Sequence, residues 1–137
     1  MLLDHGQEPL AYSSNETGRD EVFVRPFPNT DLARVRISSD GGRGPLWSKD
    51  GNELFFVDED RGLLATSFEP ASGRHQSPVG LFTIPAEYPA NASNNFYDVS
   101  SDGERFLMVR GLADAGLSEV YILTNWFEEL RERVESN

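Results

Sequence analysis

The stretch Trp47-Ser48-Lys49-Asp50-Gly51-Asn52-Glu53-Leu54-Phe55-Phe56-Val57 returns later in the chain as Val99-Ser100-Ser101-Asp102-Gly103-Glu104-Arg105-Phe106-Leu107-Met108-Val109. One constant offset aligns Trp47 with Val99 and Asp50 with Asp102. Each copy reads as an apolar anchor, a serine, any residue, Asp-Gly, two polar residues and an apolar run. The pattern predicts a repeated β-hairpin. Glycine takes positive φ without a Cβ clash, and the aspartate carboxylate accepts bonds from backbone N–H groups two residues on. The repeat is carried by Trp47, Ser48, Asp50 and Gly51 in one copy and by Ser100, Asp102 and Gly103 in the other.

A strand repeat at a fixed period, with its own turn signal, implies radially stacked four-stranded antiparallel sheets of about 40 to 50 residues each, the blades of a propeller. The expected fold is all-β: a partial β-propeller of about three blades with a short C-terminal helix. Residues 1–39 are read as an incomplete blade one, 40–84 as blade two, 94–124 as an incomplete blade three, and 125–134 as the helix.

A second offset sets Leu3 beneath Trp47 and Leu10-Ala11-Tyr12 beneath Leu54-Phe55-Phe56, with the turn decayed to Asp4-His5-Gly6-Gln7-Glu8-Pro9. Residues 1–9 read equally as a weakened hairpin or as a disordered leader. Glu21 to Phe27 alternates apolar and polar residues until Pro26 ends the run, and Ala33 to Ser38 alternates again with Val35 and Ile37 on one face. The latter suits an outer strand whose arginines face water and discourage sheet-to-sheet pairing. Asp40-Gly41-Gly42-Arg43-Gly44-Pro45 is the crossing to blade two. A phosphate cradle would need a following lysine-serine pair and a helix, and neither follows.

Blade two is expected at Leu46-Trp47, Glu53 to Val57, Leu63 to Phe68 and Gly80 to Thr83. Its turns are Asp50-Gly51, the acidic tip Asp58-Glu59-Asp60-Arg61-Gly62, and Glu69 to Arg74. Leu54-Phe55-Phe56-Val57 is apolar without alternation, as a strand covered on both faces should be. Ile84 to Asn95 is too long for a hairpin, and Tyr88, Asn91, Asn94 and Asn95 make it a candidate binding loop for a sugar or peptide, beside its plain reading as a bridge between blades. Blade three continues with Phe96 to Val99, Arg105 to Val109 and Glu119 to Leu123. Phe127, Leu130 and Val134 then fall at helical spacing behind an Asn125/Glu128 capping pair.

At this point the chain resembles the TolB-type, WD-repeat-like β-propellers of bacteria, whose blades carry a Trp-Ser-x-Asp-Gly signature. The residues that carry the resemblance are Trp47-Ser48-Lys49-Asp50-Gly51 and Val99-Ser100-Ser101-Asp102-Gly103. The ending Leu123-Thr124-Asn125-Trp126-Phe127-Glu128-Glu129-Leu130 is similar to the last strand and helix of propeller regions that follow bacterial serine/threonine kinase domains. The resemblance implies a bacterial β-propeller fold, typically of six blades. Kinase activity does not carry over, because no kinase domain is present in this sequence.

Composition narrows the chemistry. Across 137 residues there is no cysteine, which excludes disulfides, thiolate metal sites and a cysteine nucleophile. Twelve basic residues against 23 acidic ones give a formal charge of -11, so nucleic acid and anionic membranes are poor partners. The start of the chain lacks the basic and long apolar regions of a secretory signal, and compartment stays open. His5 and His75 stand in no metal-ligand spacing, and there is no Gly-x-Ser-x-Gly elbow. Asp58-Glu59-Asp60 reads as a solvated tip or a weak calcium site. Asp50 and Asp102 occupy equivalent turns on different blades, whereas acid–base catalysis would need them to converge. No enzyme activity, cofactor or metal is expected.

A closed propeller has about four to eight blades, so about three leave two apolar faces open. The sequence therefore predicts a homo-oligomer, with a dimer of three-blade arcs closing a six-blade ring, and loops free for a protein or peptide partner. The alternative is an accessory or regulatory piece of a larger enzyme: the sensor region of a kinase, or the gating domain of a prolyl-oligopeptidase-like hydrolase.

Overall fold

Positive φ at Gly51 (75°) and Gly103 (74°) reverses the chain at both predicted Asp-Gly turns, and the strands fall into place around them. The computed structural model describes residues 8–88, 96–111 and 118–123. Its strands are β1 (Glu8–Ser14), β2 (Glu21–Phe27), β3 (Val35–Arg36), β4 (Arg43–Trp47), β5 (Glu53–Val57), β6 (Gly62–Glu69), β7 (Arg74–His75), β8 (Val79–Thr83), β9 (Tyr97–Val99), β10 (Phe106–Gly111) and β11 (Ser118–Leu123). They form three antiparallel sheets: β1-β2-β3, then β4-β5-β6 with both β7 and β8 on the far side of β6, then β9-β10-β11. No helix occurs among the described residues. The helix expected at 125–134, and the first hairpin around Leu3, lie outside them.

The two Trp/Val-led copies coincide in register. Trp47 stands opposite Leu54 on the β4–β5 pair, and Val99 stands opposite Phe106 on the β9–β10 pair. Sequence equivalence is therefore structural equivalence: β9 and β10 repeat β4 and β5.

Strand β5 explains how the sheets stack. Successive side chains of a strand point to opposite faces, and all four of Leu54, Phe55, Phe56 and Val57 are buried. Leu54 and Phe56 enter a core with Val22, Val24, Ile37 and Phe68, between blades one and two. Phe55 and Val57 enter another with Tyr97, Val99, Phe106 and Met108, between blades two and three. An uninterrupted apolar run is thus two alternating faces, each buried against a different neighbour. The all-β partial propeller expected from the repeat is the fold observed.

Three details differ from the expectation. The outer strand of blade one shrinks to Val35–Arg36, because the Ser38 hydroxyl takes the Val22 N–H (2.8 Å) that a longer strand would have paired. Strand β2 does not stop at Pro26 but runs to Phe27. Strand β3 pairs only with Phe23 and Val24, so the donor missing at Pro26 interrupts no ladder on that side. The outer edge of blade two is split: β7 pairs with Phe68 and Glu69, while β8 pairs with Gly62 to Ala65 across a register shift.

Candidate functional site

The two Asp-Gly turns match bond for bond. In the first, Ser48 Oγ donates to Asp50 Oδ1 (2.6 Å), Asn52 N–H donates to the same oxygen (3.1 Å), and Glu53 N–H donates to Ser48 Oγ (3.0 Å). In the second, Ser100 Oγ donates to Asp102 Oδ1, Glu104 N–H donates to it (3.0 Å), and Arg105 N–H donates to Ser100 Oγ (3.1 Å). Backbone bonds repeat as well, from Gly51 N–H to Ser48 O (3.0 Å) and from Gly103 N–H to Ser100 O (2.9 Å). Each aspartate is held below its usual range, first by the serine hydroxyl and then by the backbone N–H. In each turn the Oδ1 oxygen is committed to turn geometry.

The seam between blades two and three is fastened at several points. Phe55 and Phe106 meet edge to face at 5.2 Å between centroids, and Phe82 approaches Phe106 at 5.7 Å. Tyr97, buried in this core, donates its hydroxyl to Gly44 O at 2.6 Å, and its burial pushes the phenol's pKa up. Gly44 sits at φ 60° with Phe96 so close that an added Cβ would lie 3.3 Å from its ring. Lys49 and Asp98 add an ion pair at 3.8 Å between half-exposed side chains.

Arg61 holds the loop that leaves blade two. It adopts φ 65°, and its guanidinium donates to Ile84 O (3.0 Å), Pro85 O (2.7 Å) and Tyr88 O. Its own carbonyl accepts the Ile84 N–H at 2.8 Å. Asp58 completes the turn by accepting the Gly62 N–H at 2.7 Å. The tip read as a charge run is a built turn, with one carboxylate and one guanidinium committed to it.

Blade one contains a buried charge. Glu21 is fully enclosed and accepts from Ser38 Oγ, Arg19 Nε (2.8 Å), Arg36 Nη2 (2.7 Å) and Gly41 N–H (3.3 Å). Burial alone would raise its pKa. The four donors outweigh burial and hold the carboxyl below its usual range.

The candidate ligand residues are placed as follows. Tyr88 is buried in the core between blades two and three, so its ring faces packing partners rather than solvent. Asn91, Asn94 and Asn95 lie outside the described residues. His75 is on the short outer strand β7, with Nδ1 3.0 Å from Gln76 O. Among the described residues no three His, Asp or Glu side chains cluster so as to hold a metal ion, and no helix is long and apolar enough to cross a membrane. A small cleft of about 180 Å³ opens between the blade crossing and blade two, lined by Ser38, Asp40, Asp58 and Pro78 among others.

The end faces differ from the inner seams. Leu107 and Val109, equivalent to Phe55 and Val57, are 39% and 41% exposed, against 1% and 0% for their counterparts. Leu10, equivalent to Leu54, is 42% exposed against 0%.

No protein-family model and no curated protein sequence matches the chain. Solved structures do. Oligogalacturonate lyase from Vibrio parahaemolyticus aligns over 74% of this chain and 25% of its own, with 15% identity and a TM-score of 0.52. An oligogalacturonate lyase in complex with manganese aligns over 74% and 26%, with 19% identity and a TM-score of 0.50. TolB from Acinetobacter baumannii aligns over 90% and 42%, with 16% identity and a TM-score of 0.37, too loose a fit to argue from. The lyases are β-propeller proteins, and at these identities the likeness establishes the fold alone. The chain spans about a quarter of their length.

Sequence reading missed Arg61 and the Glu21 cluster. Arg61 stands just before Gly62 in a turn, where its reach to a loop more than twenty residues on leaves no local trace. Glu21 did carry a signal. A carboxylate leading the apolar run Val22-Phe23-Val24, with Arg19 two residues before it, is an unusual charge at the mouth of a buried strand.

Proposed function

We propose that the chain is a non-catalytic binding or scaffold module of propeller architecture that completes its ring by self-association. The observation that carries this reading is the exposure of Leu10 at one end of the arc and of Leu107 and Val109 at the other, at positions that are buried wherever a neighbouring blade is present. The catalytic reading draws no support from Asp50, Asp102 or Glu21, each of which commits a carboxylate oxygen to backbone or side-chain donors. The partner in this reading is a protein or peptide, met by the loops and the cleft beside Asp40. The charge of -11 argues against nucleic acid and anionic membranes.

Light scattering coupled to size exclusion tests the reading. The expected mass is twice the 15.3 kDa of one chain, and a monodisperse folded monomer would overturn it. A second reading takes support from the solved lyases, whose chains are about three times as long. In it the same open faces receive blades of a longer parent, such as a kinase sensor region or the gating domain of a hydrolase.

A further inference from the structure

Strand β4 carries a cationic donor that the fold does not satisfy. Arg43 opens the strand opposite Val57, and cross-strand partners share a face, so its stem lies on the side of blade two that packs against blade three. Its Nε is buried without a hydrogen-bond acceptor, and the residue as a whole is half-buried. Four other arginines show what is missing: Arg19, Arg25, Arg36 and Arg61 each place Nε on an oxygen, at 2.7 to 3.0 Å. The carboxylates of neighbouring segments are engaged elsewhere. Asp40 lies 3.7 Å from Arg19, Asp58 accepts the Gly62 N–H, and Asp98 lies 3.8 Å from Lys49. None of the ion pairs among the described residues includes Arg43. A guanidinium stays charged at any pH the fold survives, so it cannot escape burial by losing its proton. A side chain that merely reaches to solvent keeps its nitrogens in water, whereas packing has here removed Nε from water and offered no acceptor in return.

Arg43 also sits where the first strands of the two blades close on each other. Next along β4, Gly44 O accepts the Tyr97 hydroxyl at 2.6 Å, and the missing Cβ leaves room for the Phe96 ring. The outer end of the same sheet is open, with Val79 of β8 65% exposed. Sheets that converge in this way turn their first strands toward the channel at the centre of a propeller. We infer that Arg43 is an anion-binding residue on the channel side of blade two, and that its ligand is a small carboxylate, whose two oxygens match the side-by-side N–H groups of a guanidinium. A monoanion is favoured over a phosphate dianion because one guanidinium acts alone in a chain of formal charge -11. The site is formed within a single chain and does not depend on how the ring is completed.

Acetate is the probe, exchanged for chloride at constant ionic strength with the full chain. The arginine Nε–H signals are followed in nitrogen-correlated proton spectra, and Arg43→Lys identifies the Arg43 signal by its loss. The expected result is a saturable shift of that signal while those of Arg19, Arg25, Arg36 and Arg61 stay in place, together with a rise in melting temperature that Arg43→Met abolishes. No saturable shift, a shift common to all the arginines, or an equal rise in Arg43→Met overturns the inference. An Arg43→Met chain less stable than the parent in chloride overturns it too, since the guanidinium would then be satisfied within the fold. Phosphate titrated in the same way is expected to act more weakly, and stronger binding of phosphate overturns the assignment to a carboxylate.

Discussion

The rings of Phe55 and Phe106 meet edge to face with centroids 5.2 Å apart, joining the second strand of blade two to the second strand of blade three. Both are at most 1% exposed, and Phe106 also touches Phe82. Truncating either ring removes buried apolar area and leaves a cavity that two sheets cannot easily close. Phe106→Ala is expected to cost about 3–5 kcal/mol in urea denaturation, whereas Leu107→Ala, one residue along and exposed, should cost under about 1 kcal/mol in the single chain.

Gly51 has φ 75° and nothing within 4 Å of where a Cβ would stand, so strain there is purely conformational. Gly51→Ala is expected to lose about 1–2 kcal/mol, and Gly51→Asn distinctly less, because asparagine tolerates the left-handed region. Thermal unfolding of the three proteins side by side checks the order. Equal losses from both substitutions would mean that the turn has another constraint.

Glu21 provides the pH dependence. Its folded pKa is lowered, so the stability it contributes is complete above the ordinary carboxylate range, about pH 4.3, and is lost as pH falls through the folded value. Glu21→Gln, which keeps one acceptor but no charge, is expected to cost about 2 kcal/mol at pH 7. The difference from the parent chain should shrink as the solution is acidified and vanish once the parent's carboxyl is protonated. Denaturation series from pH 7 to pH 2 read this directly.

Removing the Arg61 side chain releases three carbonyls of the 84–88 loop at once. Arg61→Ala is expected to raise amide hydrogen exchange at Ile84 and Tyr88 by about an order of magnitude, with Leu54 to Val57 unchanged. Arg61→Gly should behave alike, since glycine suits φ 65° and leaves only the lost guanidinium to account for the effect.

Where the chain speaks locally, it was legible. Asp-Gly turns, the doubled copy and the double-sided run at Leu54 to Val57 each encode structure within a few residues, and these led to the blades. What lay beyond reach was set by distance along the chain. Ser38 shortens β3 by bonding Val22, sixteen residues away, and Arg61 finds its acceptors just past β8, more than twenty residues on. Tyr88 illustrates the same limit in the candidate site: an aromatic in a polar loop reads as a ligand contact, and only the seam beneath it shows that the ring is packing material. The end faces were legible as a deficit of blades, and their residue identities emerged once the registers fixed which positions are equivalent.

Because β5 divides its side chains between two neighbours, excising a sheet at its natural borders would break no ladder and still strip one flank of the strand left behind. Shortened versions of this protein should therefore be judged by how many flanks they denude, not by how many sheets they retain. A single sheet lifted out whole would keep every strand-ladder bond and lose both of its dry sides, Leu54 and Phe56 on one, Phe55 and Val57 on the other.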